Sequence, residues 1–241
     1  MFYDLRYLRF YRNRLTDDLS DIETQAILKI SGAGAGARIL DVGCGHGRIS
    51  NRLAEHGLVV TAIDLSREAV AYAEEDSRKR SVDVTYQHWD MRHLRADWSE
   101  TFEYILVWFS TLGCLEESEF LPFLHDAYRC LRPGGILIAD HLNKATFLRR
   151  EFPIIETHLL EKDVMINSTN FDMYEDAFVT ERTTIIDGDI KRDSAKNRIY
   201  SIKELKRYTE QAEFASVSFV NFAGSTASMY DQRFMVLAHK S

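Results

Sequence analysis

The chain contains few cysteines, and their number and spacing exclude the sites that cysteines commonly build. Only Cys44, Cys114 and Cys130 occur among 241 residues. They are odd in number and far apart, and they form neither a Cys-x-x-Cys pair nor a His/Cys spacing typical of zinc. We therefore expect reduced thiols within core elements, no disulfide framework and no metal site.

Long apolar runs are also missing from the sequence. No segment approaches the run of about 18 apolar residues that a membrane-spanning helix requires. The first residues, 1–6, carry charge early and lack an apolar stretch followed by a cleavage site. The sequence therefore predicts neither membrane insertion nor secretion, and it favours a cytoplasmic protein.

Basic residues are outnumbered by acidic ones, and the formal net charge is −7. Binding of a polyanion requires clustered Lys and Arg side chains that no acid compensates. The arginines between residues 6 and 14 come nearest to such a cluster, but they alternate with aromatic residues in a predicted helix whose solvated face they form. The charge balance therefore argues against a nucleic-acid partner.

The most informative segment is an apolar strand, Ile39–Val42, that leads into three alternate glycines before a predicted helix. Glycines at such a turn permit positive φ angles and close approach of a ligand, and a helix N-terminus offers free N–H groups to an anion. A dinucleotide fingerprint needs its third glycine one residue after Gly47, where Arg48 stands. This spacing disfavours a nicotinamide cofactor.

The pattern Asp41-x-Gly43-x-Gly45-x-Gly47 resembles motif I of the class I S-adenosylmethionine (SAM) methyltransferases. The resemblance implies SAM as cofactor and S-adenosylhomocysteine as product. It assigns this turn to the cofactor through Asp41, Gly43, Cys44, Gly45 and Gly47.

A second predicted strand, 58–63, ends at Asp64 and Leu65. Asp64 follows Gly45 by 19 residues, the distance at which a second strand presents a carboxylate to ribose hydroxyls. Helix capping is the alternative role for this acid, but Ser66 is better placed for it. The family resemblance carries Asp64 over as the ribose ligand, with Leu65 beside it.

A third predicted strand, 82–87, leads to Trp89, Asp90 and Met91. In the family that the chain resembles, an acid followed by an apolar residue contacts the adenine here, which assigns Asp90 and Met91 to the cofactor. An exposed acid in a loop is the alternative interpretation. The resemblance also places Trp108, at the end of a fourth predicted strand, in the cofactor site.

A Leu-Arg-Pro-Gly-Gly segment at 131–135, followed by the strand 136–140, is highly typical of the same family. The resemblance implies an α/β, Rossmann-like three-layer sandwich with a seven-stranded, mostly parallel sheet of order 3-2-1-4-5-7-6, in which strand 7 is antiparallel. A chain of 241 residues suits one such domain.

Three parts flank the predicted SAM-binding core at 32–144. The period of residues 1–31 predicts a helical cap, and the family resemblance makes Tyr3 or Tyr11 a candidate contact to the methionine end of SAM, although an aromatic stripe of this kind is usually packed in a core. Residues 145–200 form a substrate-side insertion with a hairpin around Asp187-Gly188. Residues 201–241 form a closing helix, opened by a capping box, and two strands.

The predicted reaction is transfer of a methyl group from SAM to an O, N or C atom of a small-molecule acceptor by in-line displacement. His141 directly follows the fifth strand and is the candidate general base, because its unperturbed pKa suits proton transfer near neutral pH. A histidine that is hydrogen-bonded at a strand end is the alternative. Tyr200 is a further candidate for the acceptor pocket.

Several substrate classes are disfavoured. The sequence after the fourth strand lacks an Asn/Asp-Pro-Pro-Tyr motif, which argues against methylation of the exocyclic nitrogens of nucleic-acid bases. Cys114 stands where amino-sugar N-methyltransferases often have histidine. Two alternatives remain: a protein or RNA methyltransferase, and a SAM-binding protein, such as a cyclase or regulatory module, that transfers no methyl group. The chain is expected to be a monomer or a homodimer.

Overall fold

The computed structural model of the protein describes residues 4–11 and 14–241, which form two β-sheets and seven α-helices. The helices are α1 (Leu5–Tyr11), α2 (Asp17–Ser31), α3 (Ser50–Glu55), α4 (Arg67–Arg80), α5 (Glu117–Cys130), α6 (Lys144–Phe147) and α7 (Ile202–Gln211). The strands are β1 (Arg38–Val42), β2 (Val59–Asp64), β3 (Val84–His88), β4 (Phe102–Val107), β5 (Leu131–Leu142), β6 (Ile154–Leu160), β7 (Asp163–Asp172), β8 (Ala177–Ile186), β9 (Asp189–Arg198), β10 (Ser216–Val220) and β11 (Arg233–His239).

The larger sheet has the order β3-β2-β1-β4-β5-β11-β10. Strands β1 to β5 pair in parallel, whereas β11 is antiparallel to both of its neighbours. This confirms the predicted order, with β11 as the seventh strand. The strand order reverses between β1 and β4, and in such sheets ligands bind outside the carboxyl ends of the strands at this point.

Successive residues of the central strands bury opposite faces of this sheet. Leu40 and Ile105 belong to one core cluster together with α5, whereas Ile39 and Leu106 belong to a second cluster together with α3. Because side chains alternate along a strand, each face is covered by its own layer of helices. The result is the predicted three-layer sandwich.

Local capping signals define where the helices begin. The Ser66 hydroxyl accepts a hydrogen bond from the Ala69 N–H at 3.2 Å at the start of α4, as expected. Ser201 and Glu204 form the predicted capping box of α7.

The insertion is a four-stranded antiparallel sheet of order β6-β7-β8-β9, larger than the predicted hairpin. The predicted hairpin is β8–β9, whose turn has φ angles of 50° at Asp187 and 83° at Gly188, as a type I′ turn requires. The turn between β6 and β7 instead uses Glu161 at φ 55°. It carries no Asn-Gly or Asp-Gly signal, which is why the sequence did not reveal this pair.

The cysteines are free thiols, of which Cys44 and Cys130 are buried. Cys114 is exposed, so its predicted place in a core element is wrong: it ends a short 3₁₀ helix, Thr111–Cys114, beyond β4.

Within residues 4–11 and 14–241, no helix is long and apolar enough to cross a membrane.

Candidate active site

The glycine turn after β1 holds the backbone in conformations that favour glycine. Gly43, Gly45 and Gly47 have φ angles of 73°, 56° and 78°. The N–H groups of Gly43 and Cys44 both donate to the Ile63 carbonyl, at 2.8 and 3.0 Å. A Cβ on Gly45 would meet no atom within 4 Å, whereas one on Gly43 would lie 2.5 Å from Thr111 Cγ2. The open space beside Gly45 is part of a large cavity.

Asp64, at the end of β2, is joined to this turn. Its Oδ2 accepts from the Gly45 N–H and its Oδ1 from the Ser66 N–H, both at 2.8 Å. Burial raises the pKa of this carboxyl. The side chain lines the cavity, and each carboxylate oxygen has further acceptor capacity. The structure thus brings the predicted ribose ligand to the glycine turn.

The end of β3 contributes the predicted adenine contacts to the same cavity. Asp90 and Met91 line the cavity. The exposed side chain of Leu65, which follows β2, lines it as well. Asp90 is ion-paired with Arg92, whose hydrogen bonds hold the pKa of this carboxyl below its usual range. Arg92 also reaches Glu119 at 3.2 Å, which ties this loop to α5.

The cavity has a volume of about 820 Å³ and extends from the glycine turn to the insertion sheet. Residues of α1 line it, including Tyr11, and so do Asn167 of β7 and Phe178 of β8. Pockets for small molecules typically measure about 300–1,000 Å³. The cavity therefore has room for two ligand portions, one at the strand ends and one under the insertion.

Tyr11 is the last residue of α1 and lines the cavity, and its contact with the methionine end of SAM stays a prediction. Burial raises the pKa of its hydroxyl, and its ring stacks on Tyr7 with centroids 4.1 Å apart. Tyr3 lies outside the described residues.

Four predicted site residues do not line the cavity. Asp41 is buried and accepts a hydrogen bond from the Ser50 hydroxyl at 2.5 Å. A Cβ on Gly47 would lie 2.8 Å from Ala73 Cβ, so this glycine permits packing beneath the turn.

Trp108 is the third such residue: its Nε1–H donates to the buried Glu23 carboxylate at 3.0 Å. Tyr200 is the fourth: its ring stacks on Phe120, and its hydroxyl donates to the Leu115 carbonyl at 3.3 Å. The structure therefore places these four residues outside the cavity lining, in positions that support it.

His141 lines the cavity, but its geometry contradicts the predicted general base. Its Nε2 accepts a hydrogen bond from the Tyr200 backbone N–H at 2.8 Å, so in the neutral ring the proton lies on Nδ1. Burial lowers the pKa of the ring to about 4. The imidazole is therefore neutral near pH 7 and presents a donor, with no free lone pair to accept a proton.

The arginines of the cavity wall were not predicted as site residues, because no motif joins them, and Arg14 was assigned to a solvated helix face. Two of them, Arg48 and Arg233, share the buried carboxylate of Glu23, at 2.5 and 2.9 Å. Together the cavity arginines are Arg14, Arg48, Arg92, Arg150, Arg182, Arg198 and Arg233.

Phe109, after β4, is another cavity residue that the sequence analysis missed. Phe109 and Ser110 have φ angles of 60° and 59°, a left-handed conformation that is uncommon outside glycine and costs energy. The bend holds the half-exposed Phe109 ring at the cavity, with the guanidinium carbons of Arg48 and Arg233 5.4 and 5.2 Å from the ring centroid.

Comparison with known proteins agrees with this geometry. Residues 39–135 match a family described as a methyltransferase domain. A ubiquinone biosynthesis O-methyltransferase from Xanthomonas oryzae pv. oryzae (strain PXO99A) is 37% identical over 114 residues, which are 46% of this chain and 45% of that protein. The chain spans about half the length of the curated relatives that it matches.

Solved structures resemble the chain over nearly its full length. A SAM-dependent methyltransferase from Clostridium acetobutylicum ATCC 824 has a TM-score of 0.78 at 14% identity and covers 92% of each chain. The SAM-bound amino pentose methyltransferase CalS10 from Micromonospora echinaspora has a TM-score of 0.68 at 18% identity and covers 98% of this chain and 96% of that one. At such identities the similarity establishes a shared fold.

Proposed function

We propose that this chain, which belongs to the class I SAM-dependent methyltransferases by its 39–135 domain and by its fold, transfers a methyl group from SAM to an O, N or C atom of a small-molecule acceptor. The observation that carries the proposal is the continuous cavity of about 820 Å³. It contains the glycine turn and Asp64 at one end and the insertion sheet at the other. One enclosure therefore offers space for both a nucleoside cofactor and an acceptor.

The residues of the first end fit SAM. The space at Gly45 admits a ligand close to the backbone, and we assign the ribose hydroxyls to Asp64 and the adenine to Asp90 and Met91. Arg48 also lines this end, and its buried Nη2 has no hydrogen-bond partner among residues 4–11 and 14–241. This donor suits the carboxylate of the methionine portion.

When bound, SAM supplies a methyl group on a sulfonium that is already activated for displacement. The chain has to hold the acceptor atom in line with that bond and exclude water. The insertion sheet and α1 provide this cover, since Tyr11, Asn167 and Phe178 close the cavity opposite the strand ends. His141 does not accept the acceptor's proton in this arrangement, because its Nε2 is bonded to the Tyr200 N–H.

The cover over the cavity also favours a small acceptor over a macromolecule. A protein or RNA segment requires an open groove, whereas here four strands, β6–β9, lie over the substrate end. The net charge of −7 further disfavours RNA. We retain a monomer or a homodimer as the expected oligomeric state.

Calorimetric titration of the purified chain with SAM and S-adenosylhomocysteine, with NAD as control, tests the cofactor. We expect micromolar binding of the two sulfur nucleosides and no binding of NAD. A screen for transfer of labelled methyl from SAM to small hydroxyl, amine and carbon acids then tests the reaction. Binding of SAM without transfer to any acceptor would favour the non-transferring alternative, and failure to bind SAM would refute the proposal.

A further inference from the structure

Besides Arg48 Nη2, two buried N–H donors in the cavity wall have no hydrogen-bond partner among the described residues. One is Nδ1 of His141, a side chain that is only 1% exposed, and the other is Nε of Arg198 at the end of β9. Burying a polar group without a partner is costly, so such groups commonly mark a ligand that supplies the missing bond. Both groups are donors, so the missing partners are acceptors.

One tyrosine and one glutamate hold these two donors in place. The His141 ring is fixed by the Tyr200 backbone N–H, and the two ring centroids are 5.7 Å apart. The guanidinium carbon of Arg198 lies 5.5 Å from the same Tyr200 centroid. Arg198 Nη1 is ion-paired with Glu117 Oε2 at 3.2 Å, which leaves its Nε–H for another partner. Contacts with Tyr200 therefore order both donors.

The charges at the cavity are balanced until the cofactor is counted. The described lining holds seven arginines and four acidic residues, Asp64, Asp90, Glu119 and Glu156. Three carboxylates behind the lining, Glu23, Asp140 and Glu117, pair with arginines of the lining. SAM carries a sulfonium and an ammonium against one carboxylate, so a bound cofactor makes the cavity more positive. A negatively charged acceptor offsets this charge, and the positive field also raises its local concentration.

The substrate end also presents an apolar surface. Phe147 and Phe178 line it with their ring centroids 5.5 Å apart, and Leu142, Ile154 and Phe109 are further lining residues. Rings of this kind pack against flat apolar groups. The body of the acceptor is therefore expected to be apolar and of the size of a ring.

Building on the proposed function, we infer that the acceptor carries a carboxylate on an apolar, ring-sized body. Arg198 Nε–H donates to one carboxylate oxygen and His141 Nδ1–H to the other. Two N–H donors match the two oxygens of a carboxylate, and charge-assisted bonds of this type are stronger than neutral ones. Arg198 and His141 thus select the acceptor and orient it.

The test compares acids with their neutral amides. The full chain is saturated with S-adenosylhomocysteine and titrated by calorimetry with hydroxybenzoates and aminobenzoates, each beside the corresponding benzamide. We expect at least one acid to bind about tenfold or more tightly than its amide. Arg198→Gln and, separately, His141→Phe should each remove most of that preference, while the weak binding of the amide stays nearly unchanged.

Two control variants separate the donor role from folding and from general charge. Arg192→Gln removes an exposed arginine of the same strand, β9, and should leave the preference unchanged. Glu117→Gln loosens the ion pair that holds Arg198 but keeps its Nε–H, so it should reduce the preference less than Arg198→Gln does.

The inference is overturned if no acid is preferred over its amide, or if Arg198→Gln weakens acid and amide equally. Titration of each protein with SAM distinguishes failure of this inference from failure of the proposed function. Intact SAM binding with no acid preference removes only the carboxylate assignment, whereas loss of SAM binding in the unmodified chain refutes the proposed function itself.

Discussion

Two glycines of one motif have different roles in the structure, and a pair of alanine substitutions separates these roles. Gly47 has φ 78°, and a Cβ there would lie 2.8 Å from Ala73 Cβ and still closer to the Tyr86 hydroxyl. Gly45 has φ 56°, and a Cβ there would meet no atom within 4 Å. Gly47→Ala should therefore reduce stability, whereas Gly45→Ala should mainly obstruct the cofactor space.

The expected losses of folding stability follow from backbone strain and from crowding by the added Cβ. A left-handed conformation costs an L-residue roughly 1–2 kcal/mol, and overpacking adds roughly 1–3 kcal/mol. Replacing glycine also restricts the unfolded chain, which offsets about 0.4–1 kcal/mol. Gly47→Ala is thus expected to lose about 1–4.6 kcal/mol, and Gly45→Ala, which is not overpacked, about 0–1.6 kcal/mol.

Urea denaturation followed by tryptophan fluorescence measures both losses, and calorimetry measures SAM affinity. We expect Gly45→Ala to weaken SAM binding about tenfold or more, and folded Gly47→Ala to bind nearly as well as the unmodified chain. Adding Tyr86→Phe to Gly47→Ala removes the closest clashing atom and should recover part of the stability, despite the loss of the 2.7 Å bond from Tyr86 to Asn51. Equal stability losses for the two glycines, or an effect of Gly47→Ala on binding alone, would refute this reasoning.

Three further predictions concern single side chains. Asp64→Ala should weaken SAM binding about tenfold or more, because it removes a charged acceptor; unchanged affinity in a titration would exclude Asp64 from the site. Burial raises the pKa of Asp41 to about 6 from 3.8, so the folded state holds this proton more tightly and stability falls as pH rises through that range. Asp41→Asn should abolish this part of the pH dependence and be at least as stable at pH 7; a less stable variant in denaturation at pH 7 would contradict this. For His141, burial lowers the pKa from 6.5 to about 4, so stability falls as pH drops through that range, and His141→Phe should remove this acid sensitivity. An unchanged slope between pH 6.5 and 4 would show that His141 is not buried in neutral form.

The sequence analysis anticipated the cofactor end of the cavity more closely than the substrate end. Gly45, Asp64 and Asp90 each lie within a short motif directly after a strand, and parallel strands bring such positions to one edge of the sheet. The family resemblance assigned these motifs to the cofactor, and the topological rule accounts for their meeting at one edge of the sheet. Trp108 was assigned to the cofactor site from its position at a strand end. Its indole N–H instead donates to Glu23, which that position does not predict.

The substrate end depends on contacts between residues far apart in the chain. The Tyr200 N–H meets the His141 ring across 59 positions, and this single bond converts an expected base into a donor. Arg198 carries no motif of its own; its role follows from the insertion sheet that places β9 against the 3₁₀ helix at Thr111–Cys114.

The sequence by itself determined the glycine turn and the residues that follow β1, β2 and β3, because hydrophobic period, turn chemistry and spacing are local properties. The fold class and the strand order followed from the family resemblance that these motifs carry. Only the tertiary structure decided which of those residues reach the cavity, which ring nitrogen of His141 carries the proton, and that β5 and β9 each place a donor without a described partner in the cavity wall. Burial and hydrogen-bond partnership are set by segments distant in the chain, and these two quantities define the chemistry of the site.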